Sequence, residues 1–274
     1  MKKIIEKWYR TLPFPKEFDG MFSEILERTS LEGITTIEEY PSANTPWDDI
    51  GRAERNLMAY LFFCEETERR YAGKGLPHDV FLATMNDIVR WSSLFYQATG
   101  KLGLIELSWT SLHHKLQIFE LGRLQFNFCK LASSPISELN AGVGTPCIGT
   151  HIPAAGPLKT EDALASFRAA DAFFPKYFPE YSYDFYTCQS WLLDPDLADI
   201  IGKDSNIVRF AGLFCPFGSQ PSNICLRYLF TADTDEHNVA ARTPVSRLAA
   251  AAKERVLAGG TFHSVSGYRM KGAQ

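Results

Sequence analysis

His151 and Cys188 are the two side chains of this sequence best suited to proton transfer or covalent chemistry, and each stands at or near the end of a predicted strand. His151 closes the run Pro-Cys-Ile-Gly-Thr-His and precedes the turn Ile-Pro-Ala-Ala-Gly-Pro, so its imidazole could reach a ligand and accept a proton near neutral pH. The plainer alternative is a histidine that pins the turn by hydrogen bonding to backbone. Cys188 shares a strand face with Tyr186 and Ser190, while Thr187 and Gln189 take the other. Its thiol could form an acyl-enzyme if an imidazole activated it, whereas a cysteine between Tyr186 and Trp191 is expected to be buried and inert. Arg123, Gln125 and Asn127 line one face of a third strand; Arg123 and Gln125 could bind a substrate, or the arginine could pair with a carboxylate.

Several other chemistries are excluded. The six cysteines include no C-x-x-C pair, Cys147 and His151 lie four apart on one strand, and the adjacent His113 and His114 point apart, so no zinc spacing exists and no metal is expected. Free thiols in a reducing cytoplasm are the plain reading. The formal net charge of −4 is spread thinly, without a cluster of lysines and arginines able to neutralise a run of phosphates, which argues against nucleic acid. The longest apolar run, Leu57 to Cys64, is far short of the roughly 20 residues that cross a bilayer, and no apolar stretch follows the basic start, so neither a membrane nor a signal peptide is expected.

The elements that must position these side chains fall into two halves. Residues 1–120 read as a helical domain: a helix capped by Asp19 through Leu31, a loop from Gly33 to Asp49, and a strong helix from Arg55 to Tyr71 with the apolar face Leu57, Tyr60, Leu61, Cys64. Another runs from Asp79 to Thr99 and a third amphipathic stretch from Ile105 to Phe119. After Gly122 the period changes to two, with Leu124, Phe126 and Phe128 alternating with polar residues. Further strands are predicted at 146–152, 183–189, 206–214, 223–231 and 261–269. Helices are predicted at 161–174, with Thr160 as cap and Pro175 as stop, near 195–201, and at 243–258. Residues 121–274 therefore read as a mixed α/β domain, and the fold class is α/β (α+β).

The stretches L-G-R-L-Q-F at 121–126, H-I-P with G-P-L at 151–158, S-F with F-F at 166–174, C-Q-S-W-L-L-D-P-D-L at 188–197 and S-N-I-V-R-F at 205–210, with a weaker L-A-G-G before His263, resemble a family of bacterial acyltransferase-domain proteins. In that family a helical amino-terminal domain precedes a carboxyl-terminal domain similar to GNAT N-acyltransferases. The resemblance implies that the strand ending at His151 faces the acyl thioester and that the helix opening at Thr160 holds the pyrophosphate of coenzyme A at its amino end. It implies an acyl-CoA or acetyl-CoA donor and a small-molecule amine or hydroxyl acceptor. The proton-transfer roles would fall to His151, with Cys188 and Tyr228 as further catalytic candidates, Tyr268 being an alternative acid. The donor would lie along Ile152, Ala155, Gly156, Ser190, Trp191 and Asn206, in a pocket between the strand ends at His151 and Ser190 with the helical domain over one side.

Two residue-level features leave a second reading open. The turn Ala154 to Lys159 carries one glycine and one lysine, and Glu161 and Asp162 occupy the first helical turn, where carboxylates complement the helix dipole themselves. A degenerate domain that binds a small molecule or a partner protein without turnover fits the same residues.

Overall fold

The computed structural model describes residues 1–33, 36–132 and 134–273. Two compact units emerge, Met1–Glu120 and Leu121–Gln274. Among the described residues no helix is long and apolar enough to cross a membrane.

The first unit holds α1 (Lys2–Thr11), α2 (Asp19–Arg28), α3 (Ile50–Gly73), α4 (His78–Met85), α5 (Asp87–Thr99) and α6 (Leu107–His114). In α3 the Asp49 side chain accepts a hydrogen bond from Arg52 N at 3.1 Å, and the face Leu57, Tyr60, Leu61, Cys64 is wholly buried. Asp19 is the first residue of α2, not its cap, because its carboxylate accepts from Tyr9 Oη at 3.0 Å and pairs with Arg10 at 3.0 Å. The continuous helix expected from Asp79 to Thr99 is two helices that break at Asn86. The break turns Asp87 inward, where it accepts from Trp91 Nε1 at 2.9 Å and Trp109 Nε1 at 2.8 Å. The third amphipathic stretch also divides: after α6 the chain reverses at Leu116, φ +54°, and continues as a strand. Within the expected loop from Gly33 to Asp49, Ile37–Glu39 form a short 3-10 turn closed by a capping box of Thr36 and Glu39, and Ile34 and Thr35 lie outside the described residues.

The strands are β1 (Ile118–Leu121), β2 (Leu124–Lys130), β3 (Pro146–His151), β4 (Phe185–Ser190), β5 (Cys215–Pro221) and β6 (His263–Met270). They form one six-stranded mixed sheet in the order β1-β2-β3-β4-β6-β5. With them run α7 (Thr160–Tyr177), α8 (Leu197–Ile201), α9 (Asn206–Ala211), α10 (Cys225–Leu229) and α11 (Arg247–Leu257). The mixed α/β architecture with a helical amino-terminal part is thus the one the hydrophobic periods imply.

Two expected strands are helices. At 206–214 the Ser205 hydroxyl accepts from Val208 N at 3.3 Å and starts α9, which buries Phe210, and at 223–231 the chain forms α10, which buries Cys225 and Leu226. Between them lies β5, an edge strand that is largely exposed and bounded by prolines, so no apolar run marks it in the sequence. Pro175 does not stop α7. It costs one backbone bond near the carboxyl end, where Phe173, Phe174 and Phe178 pack together, and the helix closes through Phe178 N to Phe174 O at 2.8 Å.

The register divides the sheet into two faces. Phe126, Phe128, Ile148, Tyr186 and Cys188 share the face against α7, where Phe167 lies 5.6 Å from Phe126 and 5.0 Å from Tyr186, and Phe174 lies 5.3 Å from Phe128, between ring centres. Asn127, Cys129, Cys147, Gly149, His151 and Thr187 share the opposite face, whose closed end is a small core of Leu131, Ile136, Ala141, Cys147 and Phe185.

Candidate functional site where two parallel strands part

β3 and β4 run parallel but share only two rungs, Ile148 with Tyr186 and Gly149 with Thr187, although β3 continues to His151 and β4 to Ser190. On their outer sides the same strands are laddered along their length, β3 to β2 as far as His151 opposite Gln125, and β4 to β6 as far as Ser190 opposite Val265. The carboxyl ends of β3 and β4 therefore separate while each stays fixed from behind. A parallel sheet offers ligands its carboxyl ends, and a parted pair presents main-chain groups there.

His151 stands at the lip of this opening, half-buried. Asn127 directs it. The Asn127 amide donates from Nδ2 to Phe128 O at 3.0 Å, which turns Oδ1 toward the imidazole, and His151 Nε2 donates to that oxygen at 2.8 Å. A neutral ring with its proton on Nε2 carries its basic lone pair on Nδ1. Gly149 makes the bond possible, because a Cβ there would fall 2.2 Å from Asn127 Oδ1. Neither residue stood among the sequence candidates. The available signals were a glycine inside an otherwise apolar strand and the polar alternation of β2.

Gln125 is buried opposite His151. Arg123 is committed to the following turn: its guanidinium donates to Pro153 O at 2.9 Å, Pro157 O at 3.2 Å and Gly156 O at 3.3 Å, and its N–H donates to Ser166 Oγ at 2.8 Å. The turn that carries Ile152, Ala155 and Gly156 is thereby held by Arg123, which stands just before β2 and is itself fixed by Ser166 of α7. Ala155 is exposed, and Gly156 adopts φ +56°, where a side chain would be strained.

The helix after this turn begins differently from expectation. Lys159 is the N-cap residue and makes no side-chain cap bond, Thr160 is already helical, and its Oγ1 is buried without a hydrogen-bond partner. Glu161 and Asp162 occupy the first turn as expected. Thr150 Oγ1, on the strand that parts from β4, is likewise buried and unpartnered. Two hydroxyls are thus buried without a partner, one on β3, on the face it shares with Phe126, and one at the start of α7.

Cys188 and His151 lie on opposite faces of the sheet, so the imidazole is not placed to activate the thiol. The Cys188 side chain is 2% exposed, and burial pushes its thiol up to about 12, which leaves almost no thiolate at neutral pH. Ser190 Oγ accepts from Leu192 N at 3.1 Å, capping the 3-10 turn Trp191–Leu193, and Trp191 packs with Leu197, Cys225, Leu226 and Phe262. Asn206 opens α9 but Ser205 caps it. Tyr228 is 52% exposed on α10, and Tyr268 pairs with Thr187 across β6 and β4.

At the Trp-Leu-Leu-Asp corner, Asp194 accepts from His263 N at 2.8 Å and from Asp196 N at 3.0 Å. Asp194, Asp196 and His263 bring potential ligand atoms within 4.8 Å of one another. Arg255 pairs with Asp196, however, and already supplies the positive charge that a metal would bring.

A family model described as the GNAT-like C-terminal domain matches residues 118–269, and one described as the N-acyltransferase N-terminal domain matches residues 10–116. The chain belongs to the family that pairs these two domains. Solved structures with the same fold include an acyltransferase in complex with decanoyl-CoA and teicoplanin, 22% identical over 95% of this chain and 89% of that one, with a TM-score of 0.73. An acyltransferase mutant in complex with octanoyl-CoA is 21% identical at the same coverage and TM-score, and so is an acyltransferase in complex with CoA and 10C-teicoplanin. No curated protein matches the chain.

Proposed function

We propose that this protein transfers an acyl group from an acyl-CoA to the amine or hydroxyl of a small-molecule acceptor, with His151 as the proton acceptor. The observation that carries the reading is the parting of β3 from β4 directly at His151, in a fold shared with acyltransferases crystallised with decanoyl-CoA, octanoyl-CoA and CoA. The pantetheine arm enters between the separated strands. Main-chain N–H groups there polarise the thioester carbonyl, and Thr150 Oγ1 is a buried partner for an amide of the arm. The pyrophosphate lies toward the amino end of α7, which no side chain caps and where Thr160 Oγ1 is available.

The acceptor nitrogen or oxygen attacks the carbonyl carbon, and the acceptor proton passes to His151 Nδ1. The carbon–sulfur bond breaks with its electron pair going to sulfur, so that coenzyme A leaves as the thiolate and takes up a proton on release. Asn127 holds the ring in the tautomer that this requires, and Gly149 leaves room for Asn127. Arg123 acts at one remove, by fixing the turn that carries Ile152 to Gly156. Gln125 backs His151 from β2. Cys188 and Tyr228 have no part in this scheme.

Glu161 and Asp162 favour the competing reading of a binding domain without turnover, since their carboxylates oppose a pyrophosphate at the same helix end. Calorimetric titration of the whole chain with acetyl-CoA, octanoyl-CoA and decanoyl-CoA separates the two. Saturable heat with at least one donor supports the transferase; no heat with any of them removes it.

A further inference from the structure

Cys129 on β2 and Cys147 on β3 are direct register partners on the face that carries Asn127 and Gly149, and their Sγ atoms lie 3.3 Å apart. Thr187 Oγ1, on the last rung that β4 shares with β3, is 3.9 Å from Cys129 Sγ and 3.8 Å from Cys147 Sγ. Directly opposed residues of antiparallel strands keep their Cα atoms roughly 4.5–5.5 Å apart, inside the roughly 4.4–6.8 Å that a disulfide spans. The Cα spacing of such a rung is compatible with a disulfide, for which the sulfurs must close from 3.3 Å to about 2.05 Å. The Tyr181 hydroxyl donates to the main-chain oxygens of both cysteines and holds this rung together from one side.

We propose that Cys129 and Cys147 are a redox modification site, a dithiol that a peroxide converts reversibly into a disulfide between β2 and β3. Cys129 is half-buried and Cys147 buried, so the oxidant meets Cys129 first. The Cys147 S–H eases ionisation of Cys129 against the cost of burial, with help from the Thr187 hydroxyl and the backbone at Gly149, while the same pairing opposes ionisation of Cys147. The thiolate of Cys129 attacks one peroxide oxygen, the O–O bond breaks, and a sulfenic acid and hydroxide form. Cys147 then attacks the Cys129 sulfur as its S–H proton is taken up and the sulfenic oxygen leaves as water. Two electrons pass from the two thiols to the peroxide, which ends as two waters. The other four cysteines are placed differently: Cys64, Cys188 and Cys225 are buried and Cys215 is exposed.

Thiol counting, intact mass and peptide mapping of the whole chain under a hydrogen peroxide titration test this without any activity assay, and so independently of the acyltransferase reading. The expected result is joint loss of two of the six thiols, a mass lower by two hydrogens, a cross-linked peptide joining 129 to 147, and full recovery with dithiothreitol. In Cys147→Ser the sulfenic acid on Cys129 persists and is trapped by dimedone. The proposal is overturned if both thiols survive peroxide that oxidises the exposed Cys215, or if Cys129 in the unmodified chain proceeds to sulfinic acid without the cross-link.

Discussion

Two histidine sites, one in each unit, differ in the partners of their rings and in their access to water. In the helical unit His113 is fully buried, with Nδ1 2.6 Å from Tyr60 Oη and Nε2 3.5 Å from Asp87 Oδ2. Arg90 joins Asp87 at 3.1 Å to Glu120 at 2.6 and 2.8 Å. Burial alone would raise the Asp87 carboxyl, but His113, Trp109 and Arg90 outweigh it and hold it well below the usual carboxylate range. At the parted strands His151 is half-buried and its partner is the neutral amide of Asn127. A sealed imidazole beside a carboxylate fixes the packing around it. An imidazole at an opening, oriented by an amide that carries no charge, presents its ring to that opening.

Exchanging the consequences of the two sites would break this contrast. His151→Ala should lower turnover about 10²–10⁴-fold, the usual contribution of a positioned general base, and leave the melting temperature nearly unchanged; steady-state kinetics beside thermal melts decide it, and retained turnover removes His151 from the mechanism. Asp87→Ala should act the other way, destabilising the helical unit by about 3–5 kcal/mol because Arg90 and the two indole N–H groups lose a buried partner. A loss below about 1 kcal/mol in denaturant titrations would show that the network is dispensable.

The neighbouring His114 sharpens the comparison through pH. Burial holds its pKa well below the ordinary value of 6.5, with the charges of His113 and Arg70 adding to the effect. The unfolded chain therefore binds the proton first as pH falls. Its contribution to stability is complete above about 6.5 and is lost below it, by about 1.4 kcal/mol per pH unit. Unfolding free energies between pH 7.5 and 5 should show that slope and His114→Phe should flatten it; an unchanged slope in the variant contradicts the assignment. Asn127→Leu should have the smallest effect, a five- to tenfold loss of turnover, since one neutral hydrogen bond contributes about 1 kcal/mol. Nitrogen NMR of the His151 ring should show the Nε2–H tautomer in the parent chain and a mixture in the variant, and identical tautomer signals would mean that Asn127 does not orient the ring.

The motif residues show why some of the site was legible and some was not. L-G-R-L-Q-F, C-Q-S-W-L-L-D and S-N-I-V-R-F stand out as strings because each fixes a local corner. Gly122 at φ +73° leaves no room for a Cβ beside Ser166 Oγ, Arg123 gathers three carbonyls, Ser190 and Ser205 cap turns, and Asp194 anchors the start of β6. Such residues are conspicuous whether or not they touch a ligand, which is how Arg123, Ser190, Trp191 and Asn206 entered the candidate set. The segments 206–214 and 223–231 have short apolar runs that suit either a helix or a strand; the Ser205 cap starts a helix in the first, and the second, which no side chain caps, is helical where it buries Cys225 and Leu226.

Local patterning alone determined the helical first half, four of the six strands, the amphipathic face of α7 and the position of His151 at a strand end, because periods of 3.6 and 2 are properties of neighbouring residues. Tertiary structure decided the rest. That β3 and β4 are parallel and stop pairing at Gly149, that Asn127 reaches His151 across a glycine, that Cys188 faces away from His151 and that Cys129 meets Cys147 are all consequences of register between strands distant in the chain. Register depends on which strands meet and in which direction, and no single strand encodes that.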